Sequence, residues 1–248
     1  MSLSHDGYVV FDTDPRVETW ANAAESAATR VAADPAMRAK NLRHGDTWFV
    51  GVDALPNGPQ GEVDGVPLAG PWMESVPEVR LHAAQLSIIY PGYPQRDPDQ
   101  SAANHRYRIT RAAAHVDGLL PEGPQRRRFA REFHAYILGL PLNDVTAAPT
   151  VIWPGSHVIM QQALAAAIGA NRISDVDLTE AYHAARRVVF DTCTPVPIKA
   201  GPGQSFLIHR FALHGTAPWE GPDGLGRMIA FFRPEFDDPK DWLAPDVT

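Results

Sequence analysis

Residues 196–216 read VPIKAGPGQSFLIHRFALHGT, and the interpretation of this stretch decides the fold. Val196 and Ile198 are β-branched and open a short strand-like run. AGPGQ, residues 200–204, follows as a reversal, its glycines and proline being turn-forming residues. SFLIH, residues 205–209, is again β-branched and aromatic. The pattern is strand, turn, strand, and it ends by delivering His214, followed by Gly215 and Thr216.

The same texture extends in both directions. Residues 79–90, 107–116, 133–142, 148–153 and 227–234 are short apolar segments rich in β-branched or aromatic side chains, mostly punctuated by Gly, Pro, Asn or Asp. Many short strands with turn chemistry between them predict a sandwich or a barrel. The 23 prolines suit a loop-rich β fold better than a helical bundle. Helical periodicity predicts insertions at 157–169 and 175–187, and an Ala-rich helical part at about 15–40, interrupted by Pro35. Residues 56–72 are rich in Gly and Pro and read as loop. No repeat and no linker divides the chain, so residues 1–248 are expected to form a single domain with a β core at about 79–236.

Bulk properties narrow the function. A net charge of -7 argues against nucleic acid and against an anionic membrane surface, because both need a basic face. The sole cysteine, Cys193, leaves no internal disulfide framework and fits a reducing compartment, hence a cytoplasmic location. No apolar run is long enough to span a bilayer, and the first residues lack the pattern of a secretory signal.

The chemistry sits in AAAHVDGLL, residues 112–120. If this stretch ends a strand, His115 and Asp117 share a face and Val116 points the other way. An imidazole and a carboxylate side by side supply two of the three ligands of an iron facial triad. His214 offers the third, Thr216 shares its face two residues on, and Arg227 opens the next β segment with a guanidinium suited to a carboxylate. A competing His-x-Asp pair, His44 and Asp46 in RHGDTW, lies in a turn-like context where convergence is not expected.

This order, together with the Pro154-Gly155-Ser156-His157 turn in VIWPGSH, resembles the phytanoyl-CoA dioxygenase family of iron(II)/2-oxoglutarate oxygenases. The resemblance covers roughly residues 85–234. It implies a mainly β fold, a double-stranded β-helix (jelly roll, cupin-like) with flanking helices. It implies Fe(II) ligands at His115, Asp117 and His214. It also implies that Arg227 binds the distal carboxylate of 2-oxoglutarate, with Thr216 beside it and a further contact from Gln85 or Ser87. The activity implied is hydroxylation of a small-molecule substrate using O2, with release of succinate and CO2. Asp117 favours hydroxylation over halogenation, since related halogenases lack this carboxylate.

The residues alone leave two other classes open: a metal-dependent jelly-roll isomerase or lyase that does not use 2-oxoglutarate, and a non-catalytic binding module. Arg126, Arg127, Arg128 and Arg131 in QRRRFAR read by default as a solvated charged face, with an anionic substrate anchor as the alternative. The polar, Pro-rich residues 91–106 read as a lid that carries specificity.

Overall fold

The computed structural model describes residues 2–244. Met1 and residues 245–248, part of the expected single-domain span, lie outside the described residues. The chain begins with α1 (Leu3–Asp6), β1 (Tyr8–Phe11), α2 (Pro15–Ala33), α3 (Pro35–Asn41), β2 (Leu42–Arg43) and β3 (Trp48–Gly51). Then come β4 (Gln85–Ile89), α4 (Ala102–Arg111), β5 (Leu119–Glu122), β6 (Arg127–Ala130), β7 (Tyr136–Pro141) and β8 (Thr150–Ile152). The C-terminal part holds α5 (Ser156–Ile168), α6 (Thr179–Thr192), β9 (Val196–Ile198), β10 (Ser205–His209), β11 (His214–Thr216) and β12 (Arg227–Phe232).

Two antiparallel sheets face each other. The large one runs β1-β10-β7-β12-β4-β3-β2, and the small one β11-β8-β9. Alternation along the strands sorts side chains onto two faces. Leu86, Ile88, Leu138, Leu140, Leu207, Ala230 and Phe232 face outward onto a core shared with α2. Ile137, Phe206, Ile208, Ile229 and Phe231 face inward, where they meet Ile152 and Ile198 of the small sheet. Gly139 lies on β7 because a Cβ there would come 2.1 Å from the Phe206 ring that fills this space. The result is the double-stranded β-helix with flanking helices.

Local signals explain the outer helices. Asp14 caps α2 and Asp34 caps α3, each followed by proline in the first turn, where its missing N–H costs nothing. Pro35 therefore starts a helix rather than merely breaking one. On α2, Val17, Trp20, Ala21, Ala24, Ala27, Ala28 and Ala32 form the buried stripe. Trp20 donates from Nε1 to Gly61 O at 2.8 Å and pins the Gly/Pro-rich loop to this helix.

Two differences from the sequence reading matter. The large sheet is not confined to residues 79–236: β1 pairs with β10, and β3 with β4, so the N-terminal third supplies strands. Residues 107–116 are not a strand. Ser101 accepts from Asn104 N and starts α4, which continues to Arg111. Ala112 and Ala113, both at φ 51, then turn the chain sharply before His115. Left-handed backbone is rare for alanine, so the turn is imposed by what the chain meets next.

Candidate functional site

What it meets is β11. His115 N donates to His214 O at 2.8 Å, and His214 N donates to His115 O at 3.0 Å. This isolated antiparallel bridge sets the two histidines opposite one another, with ring centroids 4.8 Å apart. Thr216 N donates to Ala112 O at 2.9 Å and extends the contact. A Cβ on Gly215 would lie 2.1 Å from Ala112 O, so only glycine fits between the two histidine-bearing segments. Val116 points away into the core under α5 and α6. Gly118, at φ 79, then lets the chain turn beneath Glu132 O.

His115 Nε2 stands 3.1 Å from Asp117 Oδ1, and His214 Nε2 stands 3.7 Å from Asp117 Oδ2. One ligand atom from each of the three residues lies within 4.8 Å of the others. Each histidine Nδ1 sits 3.0 Å from the carbonyl oxygen two residues upstream, Ala113 for His115 and Ala212 for His214. A carbonyl oxygen can only accept, so each Nδ1 donates, and Nε2 is the nitrogen each ring turns to the centre. This backbone support is the arrangement that holds metal-ligating imidazoles in place.

The electrostatics suit a cation. Burial alone would raise the Asp117 carboxyl, but Arg233, His214 and His115 outweigh it and hold it well below the usual carboxylate range. Burial lowers His214 to about 4, against the pull of Asp117. At neutral pH the cluster is therefore an ionised carboxylate beside a neutral imidazole, the forms in which both ligate metals. The donor set fits a divalent first-row metal such as Fe(II).

Arg227 lies at the start of β12, on the inward face with Ile229 and Phe231. Its side chain is buried at 3% exposure, and desolvation lowers its pKa to about 10. Nε and Nη2 have no hydrogen-bond partner, and Nη1 reaches only Thr150 Oγ1 at 3.5 Å. Buried guanidinium donors left unpaired are costly, and an anion in the adjoining cavity would satisfy them. The cavity it lines continues past Asn143, Thr146, Lys199 and Ile229.

The other expected contacts fall differently. Thr216 sits in register with Thr150 across β11 and β8, and the hydroxyl bonded to Arg227 is Thr150's. Gln85 pairs in register with Phe231 and Arg227 with Ile89, so Gln85 lies at the other end of the β4–β12 pair from Arg227. Its Oε1 accepts from Arg233 Nη1, whose guanidinium also places Nε 2.6 Å from Asp117 Oδ2. Ser87 Oγ accepts from Trp48 Nε1 at 3.0 Å. Thr150 and Arg233 thus belong to the site although the sequence did not single them out. Arg233 had a weak signal, six residues after Arg227 and on the same face of an extended strand. Thr150 had none, because its contact with Arg227 is made between the two facing sheets.

His44 and Asp46 do not converge. Residues 44, 45 and 46 all have positive φ, at 56, 62 and 64°. His44 stacks on Trp48 with ring centroids 5.7 Å apart, while Asp46 is exposed. Residues 91–106 are not a free loop. Asp97 accepts from the backbone N–H of His44 and Gly45 at 2.9 and 2.7 Å, and Tyr93 O accepts from Trp219 N. Gln100 and Asn104 from the same segment line an open cleft that reaches His115. Among the described residues, no helix is long and apolar enough to cross a membrane.

No family model matches the sequence, and no curated protein matches it either. Among solved structures, SnoK from nogalamycin biosynthesis, a non-heme alpha ketoglutarate dependent carbocyclase, aligns over 94% of this chain and 81% of its own, at 15% identity and a TM-score of 0.55. EctD from S. alaskensis with bound Fe aligns over 94% and 74%, at 14% identity and a TM-score of 0.47. HygX from Streptomyces hygroscopicus with nickel and 2-oxoglutarate aligns over 95% and 85%, at 14% identity and a TM-score of 0.43. At this identity the likeness to SnoK is one of fold, and it agrees with the two facing antiparallel sheets described above.

Proposed function

We propose that this protein is an Fe(II)- and 2-oxoglutarate-dependent dioxygenase that hydroxylates a small-molecule substrate. The observation that carries the reading is the pairing of the His115–Asp117–His214 cluster with the buried, under-bonded Arg227 in one jelly roll. Fe(II) with 2-oxoglutarate and O2 supplies the oxidising chemistry, leaving succinate and CO2 as co-products. The chain's own groups provide binding and orientation. His115, Asp117 and His214 hold the metal, and the carbonyls of Ala113 and Ala212 keep both imidazoles in the ligating tautomer. Arg227 takes the distal carboxylate of 2-oxoglutarate, and Thr150 and Thr216 border it. Gln85 acts through Arg233 at the metal end rather than beside Arg227.

The α-ketoglutarate dependence of SnoK is in keeping with this reading. Since β1 and β3 complete the sheet, we take the N-terminal third as part of the same domain. We place the enzyme in the cytoplasm, in keeping with the free thiol of Cys193.

The test is a titration of 2-oxoglutarate into anaerobic Fe(II) protein, following the charge-transfer absorption of the chelate. A saturable band is expected, with succinate formed once O2 and a substrate are present. Protein that binds Fe(II) and gives no band would instead favour the isomerase or lyase reading.

A further inference from the structure

The cleft beside His115 carries more charge than the metal centre accounts for. It encloses about 210 Å³ between α4, β6 and α6, and opens at His115, whose side chain is 44% exposed. Arg108, Arg128 and Arg186 all line it. Among the described residues none of the three is paired with a carboxylate within 4 Å, whereas their neighbours are. Arg127 meets Asp177 at 2.5 Å and Glu180 at 3.0 Å, and Arg131 meets Glu122 at 2.5 Å. The charged-face reading of QRRRFAR therefore holds for Arg127 and Arg131 and fails for Arg128, which turns into the cleft.

These three guanidiniums are positioned by neutral groups. Arg186 lies over Tyr107 at 5.0 Å and Tyr182 at 5.1 Å, and Arg128 lies over Tyr182 at 5.0 Å. Arg108 donates to Tyr93 OH at 2.9 Å, and its buried Nε has no partner. Tyr182 is fully buried and lines the same cleft with its hydroxyl unpartnered. The positive field is felt nearby: burial and then Arg186 and Arg128 lower His183 below the usual histidine range. Like charges gathered with no carboxylate in direct contact are unfavourable unless a ligand supplies the opposite charge. Guanidiniums from three elements offer donors in several directions, Arg128 through the nitrogens that Leu119 O leaves free. A planar carboxylate is satisfied by one bidentate arginine, whereas a tetrahedral dianion takes donors from several sides.

We propose that the cleft lined by Arg108, Arg128 and Arg186 seats a phosphomonoester group of the primary substrate, with the organic remainder directed toward His115. The assignment as a substrate site rests on the oxygenase reading; the anion site itself does not.

Calorimetric titration of the metal-free, full-length protein with phenyl phosphate, and with benzoate for comparison, tests this. Phenyl phosphate should bind saturably at one site and clearly more tightly than benzoate. Each of Arg128→Gln and Arg186→Gln should weaken it by about tenfold or more, as expected for a lost charge-assisted hydrogen bond. Arg127→Gln, on the same strand, and Arg227→Gln, in the other pocket, should leave it unchanged. No saturable binding, benzoate binding as tightly, or equal loss in Arg127→Gln or Arg227→Gln would overturn the proposal. The comparison of phenyl phosphate with benzoate on wild-type protein needs no variant to fold. The 2-oxoglutarate band on anaerobic Fe(II) protein should persist in Arg128→Gln and Arg186→Gln. A wild-type protein without that band overturns the oxygenase reading, whereas one with the band but without phenyl phosphate binding overturns the phosphate site alone.

Discussion

Two His-x-Asp triplets occur in this chain, and they end in opposite states. At residues 44–46 the backbone winds through three positive φ angles, so His44 packs inward against Trp48 while Asp46 points to solvent. At residues 115–117 the backbone is held in a two-hydrogen-bond bridge to His214, and the side chains of His115, Asp117 and His214 meet. The triplet does not decide between these outcomes. The partner does: His115 has a strand to pair with that itself carries a histidine, while the backbone of His44 and Gly45 is taken up by Asp97.

The comparison breaks most readily at the ligands. Alanine at His115, Asp117 or His214 should lower Fe(II) affinity by more than about 100-fold, beyond the usual cost of disturbing only an outer-shell partner. His44→Ala and Asp46→Ala should leave it unchanged. Equilibrium dialysis of Fe(II) under anaerobic conditions reads both, and loss of binding in the 44–46 variants with retention in His115→Ala would reverse the assignment.

A smaller effect is expected one step from the metal. Arg227→Lys keeps the charge but loses the planar pair of donors, so 2-oxoglutarate affinity should fall by roughly 10- to 100-fold with Fe(II) affinity intact. Thr150→Ala should weaken it less, and more than Thr216→Ala, because Thr150 carries the hydroxyl at Arg227 Nη1. The charge-transfer titration measures all three, and an Arg227→Lys curve overlaying wild type would remove Arg227 from the co-substrate site.

The bridge itself can be tested without any ligand. Gly215→Ala forces a methyl against Ala112 O, and overpacking of this kind costs about 1–3 kcal/mol. Urea unfolding should show that loss, accompanied by weaker Fe(II) binding. The corresponding Gly65→Ala meets nothing within 4 Å, so only the strain of its positive φ should appear, and metal binding should be unaffected.

The smallest effect concerns the rival triplet. Burial, and then Arg108, lower His44 to about 4, against the pull of Asp97, with His105 and Arg43 also disfavouring its charge. The unfolded chain, with a histidine pKa near 6.5, then binds more protons than the folded one between about pH 6.5 and 4. The stability contributed by neutral His44 is present above that window and is lost as pH falls through it. His44→Gln should flatten this part of the stability–pH curve, measured by urea unfolding at each pH. An unchanged slope would show that His44 is not the group responsible.

Much of the fold could be read from local pattern. The strands at 136–141, 205–209 and 227–232, the reversal at 200–204 and the capped helices from 15 to 41 all follow from side-chain alternation, proline and glycine. These are short-range effects, and the sequence carries them whole. The order His115, Asp117, His214, Arg227 was legible for the same reason that a resemblance is: the residues stand in the chain at recognisable intervals.

What only the tertiary structure decided is how these residues come together. Residues 107–116 have β-branched and aromatic content, yet Ser101 starts a helix there, and two left-handed alanines, not strand alternation, bring His115 to His214. His115 and Asp117 stand 3.1 Å apart without the strand geometry from which the sequence reading expected them to share a face. Arg128 looks like Arg127 in sequence, and differs only because Asp177 and Glu180 meet one and not the other from more than 45 residues away. Thr150 reaches Arg227 across the gap between the two facing sheets, and Arg233 reaches Asp117 across more than 100 residues. Pairing at such separations depends on the summed packing of the whole chain, which no local window contains.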